Sequence, residues 1–235
     1  MHSPPKLFHD ACAAQGLKLT PEQLDTLSRY LHRLLEVNQH LNLTAVRDPD
    51  TAWMRHIFDS ITLLTHMIGD PGQQALDLGS GGGLPGMPLA ILRPDVSWTL
   101  VDSVAKKARF LEETATTLGL KNVAVRSERA EVLGRLPETR EQFHLVTARA
   151  VARLPTLLEL TVPLLRIKGR LFAMKGEKAG EELAESGIAM ERLKVRLRLQ
   201  EPTPEGGTLL IFKKHEATAK KYPRPVGVPG KEPLL

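Results

Sequence analysis

The sequence predicts an α/β fold: a doubly wound, mainly parallel seven-stranded sheet with an antiparallel last strand and an N-terminal helical extension. Three observations lead there. From residue 75 onward short apolar runs alternate with helical stretches, the pattern of a parallel sheet with crossover helices. The last two runs have no helix between them and are joined by the turn-rich segment 202–207, so they should pair antiparallel at one edge. Ahead of residue 70 the clear periodicity is helical. The expected division is a helical extension over 1–70, a sheet domain over 71–215 and a basic, Pro/Gly-rich tail over 216–235.

Taken in order, the first helix starts at Thr20-Pro21-Glu22-Gln23, where Thr20 caps, Pro21 suits the first helical position and Gln23 completes a capping box. Leu24, Leu27, Leu31, Leu34 and Leu35 follow at helical spacing as a packing face, and the helix should fade near Asn42. A second helical segment is expected from about Asp50 to Met67, with Trp53, Ile57, Ile61 and Leu64 on one face. Strands are expected over 75–78, 97–102, 122–126, 143–147, 170–175, 194–199 and 209–213, with helices over 85–92, 105–118, 154–165 and 179–187. A final strand folded back onto such a sheet resembles the methyltransferase variant of the Rossmann layout. The tail, KKYPRPVGVPGKEPLL, reads as extended and partly disordered, its basic residues open to phosphates or simply solvated.

Composition narrows the partners. The 235 residues are 42% hydrophobic, enough for a domain-sized core, and carry a net charge of +5. That balance favours a polyanion, with RNA, DNA and an anionic membrane surface all compatible. The single cysteine, Cys12, excludes an internal disulfide and a cysteine-based metal cage, and fits a reducing cytoplasm. Residues 1–20 hold His2, Lys6, His9, Asp10 and Lys18 and no apolar h-region, so no signal peptide is expected. No apolar run approaches the roughly 20 residues needed to cross a bilayer, so no membrane partner is expected; with a lone cysteine, no metal site is expected either.

The segment LDLGSGGGLPG, residues 76–86, concentrates five glycines within eight positions. It satisfies two patterns. Gly81-x-Gly83-x-x-Gly86 matches the dinucleotide fingerprint. Asp77-x-Gly79-x-Gly81-x-Gly83 matches the acidic glycine loop of S-adenosylmethionine (SAM) enzymes. The strand should end at Leu78, so a dinucleotide fingerprint read from Gly81 begins about two residues late. It also puts Pro85 at the head of the helix, removing an N–H that a pyrophosphate would need. SAM carries no phosphate and needs close backbone approach with a carboxylate near its ammonium group, which Asp77 and the loop 79–83 supply. The placement therefore favours SAM, with a nicotinamide dinucleotide and a purely structural turn as the alternatives. Asp102 closes the second strand about twenty residues on, where an acid accepts ribose hydroxyls of either nucleotide or else caps the next helix. Ala130 and Glu131 follow the third strand, at the adenine rim of a SAM fold or at an ordinary helix start.

After the fourth strand the chain reads Val146-Thr147-Ala148-Arg149-Ala150. It lacks the Asn-Pro-Pro-Tyr-like motif common in methylation of exocyclic amines, and Cys12 lies too far upstream to serve pyrimidine carbon methylation. A ring nitrogen with a free lone pair, such as guanine N7, needs no deprotonation, so transfer would rest on positioning and no general base is expected. Arg149 is the residue singled out here, in a positioning role. It could hydrogen-bond the cofactor or a base carbonyl, grip a phosphate, or pair with a structural carboxylate.

Four blocks, NLTAVRDPDTAWMRHIFDS (42–60), LDLGSGGGLPGMPLAI (76–91), LVDSVAKKARFLEE (100–113) and VTARAVARL (146–154), together resemble the bacterial 16S rRNA guanine-N7 methyltransferases, historically glucose-inhibited division protein B. The resemblance implies a class I SAM-dependent methyltransferase fold and N7 methylation of one guanine in a decoding-site loop of 16S rRNA. Carried over by motif, it implies cofactor contacts from Gly79, Leu84, Asp102, Ala130, Glu131 and Arg149. Gly82 and Gly83 stand where some members carry a proline and a glycine, which implies a slightly looser loop. The partner it implies is 16S rRNA, as naked rRNA, a 30S subunit or an assembly intermediate, met by a cytoplasmic, monomeric enzyme. Charge placement supplies the RNA side: Arg47, Arg55 and His56 precede Asp59, Lys106, Lys107 and Arg109 follow Asp102, and Lys175 ends the fifth strand. If those strand ends share a rim, the residues form a basic mouth around the methyl group. A SAM-fold RNA-binding protein without catalysis and a SAM enzyme with a non-RNA substrate are the competing readings.

Overall fold

The structure, a computed structural model, describes residues 2–67 and 72–235. Among them seven strands form one sheet: β1 (Gln74–Leu78), β2 (Ser97–Val101), β3 (Val123–Arg126), β4 (Phe143–Arg149), β5 (Leu165–Lys175), β6 (Val195–Pro202) and β7 (Thr208–Lys214). Their order is β3-β2-β1-β4-β5-β7-β6. The first five are parallel, and β7 runs antiparallel between β5 and β6. The expected fold class and the folded-back last strand are both present. The chain winds outward from β1 to β3 and then returns to β4. A topological switch point therefore lies between β1 and β4, where open α/β sheets bind ligands at the carboxyl ends.

The extension opens with α1 (Lys6–Ala14), an element the apolar spacing does not announce, and α2 (Pro21–Leu41). The capping box at Thr20 is formed, with Gln23 N donating to its hydroxyl and Thr20 N donating to Gln23 Oε1. Leu27, Leu31 and Leu34 are fully buried, as the spacing predicts. Asn42 ends the helix in the left-handed region. The segment expected as one helix to Met67 is a composite: α3 (Pro49–Ala52), a π-helical stretch Trp53–Phe58, α4 (Asp59–Ile61) and a 3₁₀ stretch Thr62–His66. A π turn inserts one residue per turn and re-aims the side chains that follow it. The expected boundary between residues 70 and 71 lies outside the described residues.

The remaining helices are α5 (Gly86–Leu92), α6 (Ala105–Leu118), α7 (Ala130–Leu133), α8 (Leu154–Thr161), α9 (Ala179–Ala184), α10 (Gly187–Leu193) and α11 (Val228–Lys231). The expected helix over 179–187 is broken at Ser186, whose hydroxyl turns back to Glu182 O, and α10 runs on to Leu193. One apolar layer joins α1, α2, the π stretch, α5 and α6 to β2. On the opposite face α7, α8 and α10 cover the sheet together with Tyr222 and Leu234 of the tail. Two-sided burial explains why the parallel strands read as near-continuous apolar runs. No described helix is long and apolar enough to cross a membrane.

The tail departs from expectation: it is ordered and packed. Arg140 donates to the carbonyls of Thr218 and Tyr222, each at 2.7 Å. Arg224 forms a bidentate pair with Glu159, which is fully buried, at 2.6–3.1 Å. Gly227 N donates to Glu131 Oε1 at 2.9 Å. Composition marks Pro, Gly and Arg as solvent-seeking, but here an arginine meets a buried carboxylate that has no other cation partner among the described residues, and the tail is held by that pairing.

Candidate active site

Strand register lines up the rim. Leu78 pairs with Val101 and with Ala148, and Ala148 pairs with Ala173. The next residues, Gly79, Asp102, Arg149 and Met174, therefore stand side by side at the carboxyl ends. The loop 79–86 hangs from this edge, with Gly79 N and Ser80 N both donating to Val101 O.

The five glycines do different work. Gly79, Gly81 and Gly83 take φ of +70°, +56° and +98°, a region that favours glycine. A methyl at Gly83 would collide with Met87 and one at Gly86 with Leu100 and Asp77, so Gly86 lets α5 pack close to the sheet. At Gly81 the nearest atom to an added Cβ is Gly79 O at 3.8 Å, so this stretch of backbone faces open space. Asp102 stands beside it: Oδ2 accepts from Gly81 N at 2.9 Å and Oδ1 from Val104 N at 2.8 Å. Of the two roles the sequence left open, the contact at the start of α6 is formed, and the acid also holds the glycine loop through Gly81 N. A bare, open backbone with an acid at the end of β2 fits a nucleoside cofactor.

Asp77 is placed differently from its expected position near the ammonium group. It is fully buried beneath the loop, where Oδ2 accepts from Gly86 N at 3.2 Å and Oδ1 from the Thr147 hydroxyl at 2.7 Å. Burial pushes its carboxyl up to about 6 against those hydrogen bonds. Its observed role is to brace the loop against β4. Leu84 is packed into the apolar layer of the extension. Ala130 and Glu131 are both buried at the head of α7, and the Glu131 carboxylate holds the tail.

At the carboxyl ends of β4 and β5 lies a cavity of about 440 Å³, lined among others by Thr44, Arg55, His56, Asp59, Arg149 and Thr203. Arg149 Nη2 donates to Arg55 O at 2.9 Å, and Nη1 lies 3.4 Å from Asp59 Oδ2. Of the roles left open for Arg149, pairing with a carboxylate is the one formed. Ala150, next along, has φ +56° without being glycine, a strained turn of the kind that clusters at working sites. His56 is buried against Thr44 Oγ1 at 2.6 Å; burial, and next the Arg149 charge, depress it to about 4. It is a neutral imidazole that lines the cavity rather than the outer surface. A larger cavity, about 720 Å³ between α2 and Arg47, is lined by no strand end, whereas Arg149 and Lys175 line the smaller one, so the chemistry points to the smaller one.

The basic mouth is only partly assembled. Lys106 and Arg109 are exposed on α6 and Lys107 is half-buried. Arg55 pairs with Glu205 across the cavity entrance at 3.2 Å. Lys175 is nearly buried, donating to Ala152 O at 2.6 Å and pairing with Glu182 at 2.7 Å, so its charge is already matched. That corrects its expected phosphate role: a strand-end lysine beside glycine reads as free only while the acid of the following helix is unseen. Sequence reasoning passed over Thr44, Asp59, Thr147, Thr203 and Glu205. Asp59 lay inside a quoted block, but the π stretch that turns it toward β4 leaves no mark in an apolar periodicity.

Comparison with known proteins agrees with this geometry. A family profile described as GidB, rRNA small subunit methyltransferase G, matches residues 23–201. The chain is 39% identical to the ribosomal RNA small subunit methyltransferase G of Lactobacillus delbrueckii subsp. bulgaricus, covering 98% of this chain and 99% of the relative. It is 43% identical to the protein of that name from Roseiflexus sp., covering 94% and 96%. Among solved structures, a SAM-dependent methyltransferase from Aquifex aeolicus aligns with a TM-score of 0.57 at 16% identity, covering 78% of this chain and 97% of that one. A ribosomal protein L11 methylase from Lactobacillus delbrueckii subsp. bulgaricus aligns with a TM-score of 0.52 at 15% identity, covering 67% and 77%. Those two likenesses concern the fold.

Proposed function

We infer the reaction from one premise: the chain belongs to the rRNA small subunit methyltransferase G family. It is a SAM-dependent methyltransferase acting on rRNA, and the proposed acceptor is N7 of one guanine in 16S rRNA. The observation that carries this reading is the adjacency of two halves at the β1/β4 switch point. An open glycine backbone with Asp102 stands on one side, and the cavity around Arg149 and Asp59 on the other.

Gly79 and Gly81 supply the backbone against which the cofactor would lie, Asp102 the acceptor for its ribose, and Ala130 and Glu131 the rim toward its base. S-adenosylmethionine supplies a methyl group on a positively charged sulfur. The chain's own contribution is alignment: Arg149 is anchored by Asp59 and the Arg55 carbonyl, so it is a fixed hydrogen-bond donor at the mouth of β4. A purine N7 attacks through its lone pair, so the protein needs to orient the base and keep water away rather than remove a proton. Exposed Lys106 and Arg109 are proposed to meet phosphates, and Arg55 to join them when it leaves Glu205. The enzyme is proposed to work as a monomer in the cytoplasm, on naked 16S rRNA, the 30S subunit or an assembly intermediate.

The test is methyl transfer from labelled SAM to 16S rRNA from a strain lacking the modification, followed by borohydride–aniline cleavage, which cuts at 7-methylguanosine. A single cleavage site is expected, strongest with whichever of the three RNA forms is the substrate. Label on an exocyclic amine, or no label in rRNA, would overturn the assignment. Asp102→Ala is expected to weaken SAM binding while sparing RNA binding; equal losses would make Asp102 a fold residue only.

A further inference from the structure

Asp59 is an unusual acid. It is 4% exposed, lines the cavity, and its Oδ1 has no hydrogen-bond partner among the described residues. The other oxygen faces Arg149 Nη1 at 3.4 Å, too long for a good hydrogen bond, and that nitrogen is itself without a hydrogen-bond partner. Asp59 Oδ1 and Arg149 Nη1, buried atoms of two facing side chains and each without a hydrogen-bond partner among the described residues, are costly unless something else fills their valence.

We propose that the Asp59–Arg149 pair reads the Watson–Crick edge of the target base, making Asp59 the residue that selects guanine. The inference rests on the rRNA guanine reading above and adds how the base is recognised. Guanine presents along that edge one acceptor, O6, and then two donors, N1–H and the N2 amine. The pair presents a donor, Arg149 Nη1, and then the two acceptor oxygens of Asp59. The polarity matches position by position. Adenine presents a donor and then a bare ring nitrogen, which would set amine against guanidinium and lone pair against carboxylate. Reading this edge is how proteins identify bases taken out of a helix, and it leaves N7, on the other edge, free for the methyl group.

A second consequence concerns charge. Alkylation at N7 puts a positive charge on the purine, which an arginine alone would oppose. The Asp59 carboxylate beside it offsets that charge, so the same pair that selects guanine also favours the product-like state.

The test uses the full-length protein and 16S rRNA carrying either guanosine or inosine at the methylated position. Inosine keeps O6, N1–H and N7 and lacks only the N2 amine. The wild type is expected to methylate the inosine site with kcat/KM about 10- to 100-fold lower, the range for one lost base-edge contact. Asp59→Asn is expected to lose about 100-fold on guanosine, to bind SAM normally, and to show little further loss on inosine, because the acceptor for the amine is already gone. A wild type indifferent to inosine overturns the proposal, and it does so without any variant, so a misfolded D59N cannot rescue it. A folded D59N that keeps the full inosine penalty overturns it equally. If the wild type methylates no rRNA guanine at N7, the function reading itself fails, a result separate from both.

Discussion

Replacing Gly79 by alanine tests the linkage between the two halves of the site. Gly79 has φ +70°, and a methyl there would sit 2.7 Å from Val151 Cγ2 and 3.5 Å from Cγ1. Holding a non-glycine residue in the left-handed region costs about 1–2 kcal/mol. Forcing a methyl into a filled space adds about 1–3 kcal/mol. The expected destabilisation is the sum, about 2–5 kcal/mol, a fall in Tm of about 5–15 °C for a chain of this size. Val151→Ala removes both colliding carbons, so the double variant should recover the packing part and leave the dihedral part, a favourable coupling of about 1–3 kcal/mol. Because Val151 follows the strained Ala150, whose neighbour Arg149 faces the cavity, G79A should also lower kcat as the turn after β4 shifts. Urea and thermal unfolding of the four proteins give the stabilities, Tm shifts and coupling, and initial rates of methyl transfer give kcat. G79A within about 0.5 kcal/mol of wild type, the size of a neutral surface change, would refute the reasoning. So would a double variant equal to the sum of the singles.

Other outcomes follow from the same structure. Burial raises the Asp77 carboxyl from 3.8 to about 6, so the native state keeps a proton that the unfolded chain has released. Stability from this group is therefore highest below about pH 4, declines through pH 6 by about 3 kcal/mol, and is flat above. Asp77→Asn should abolish that decline in urea unfolding followed from pH 4 to 7.5. Glu159→Gln leaves the Arg224 guanidinium without its buried counter-charge and should cost about 3–5 kcal/mol, with faster tryptic cleavage of the tail. Lys175→Gln should lower stability, because it strands Glu182, and leave the salt dependence of RNA binding unchanged. Lys106→Gln should do the reverse, reducing the slope of log affinity against log salt by about 0.7 for single-stranded contacts.

Most of the sheet was legible because its signals are local. Thr20, Pro21 and Gln23 are a self-contained helix start, and Leu27, Leu31 and Leu34 declare one buried face within a few turns. The apolar runs of a parallel sheet covered on both sides need no partner in view to be recognised. The glycine loop was legible for a related reason: left-handed backbone at Gly79, Gly81 and Gly83 forces the residue type. The helix boundaries inside 49–66 and 179–193 were not, since a π turn or a break at Ser186 follows from packing and preserves the periodicity.

By itself, then, the sequence determined the strand order's raw material, the loop and the acid that meets it at the end of β2, all written in spacing and backbone demand. Tertiary structure alone decided which charges are available. Lys175 and Arg224 look free in the chain but are matched, the first by Glu182 on the helix that follows and the second by Glu159, 65 residues away. Asp59 and Arg149, ninety residues apart, become neighbours only when the π stretch and β4 meet at the cavity. The physical reason is range: a dihedral preference or an apolar period acts within a turn or two, whereas the state of a buried charge depends on whatever the folded chain brings within a few ångströms of it.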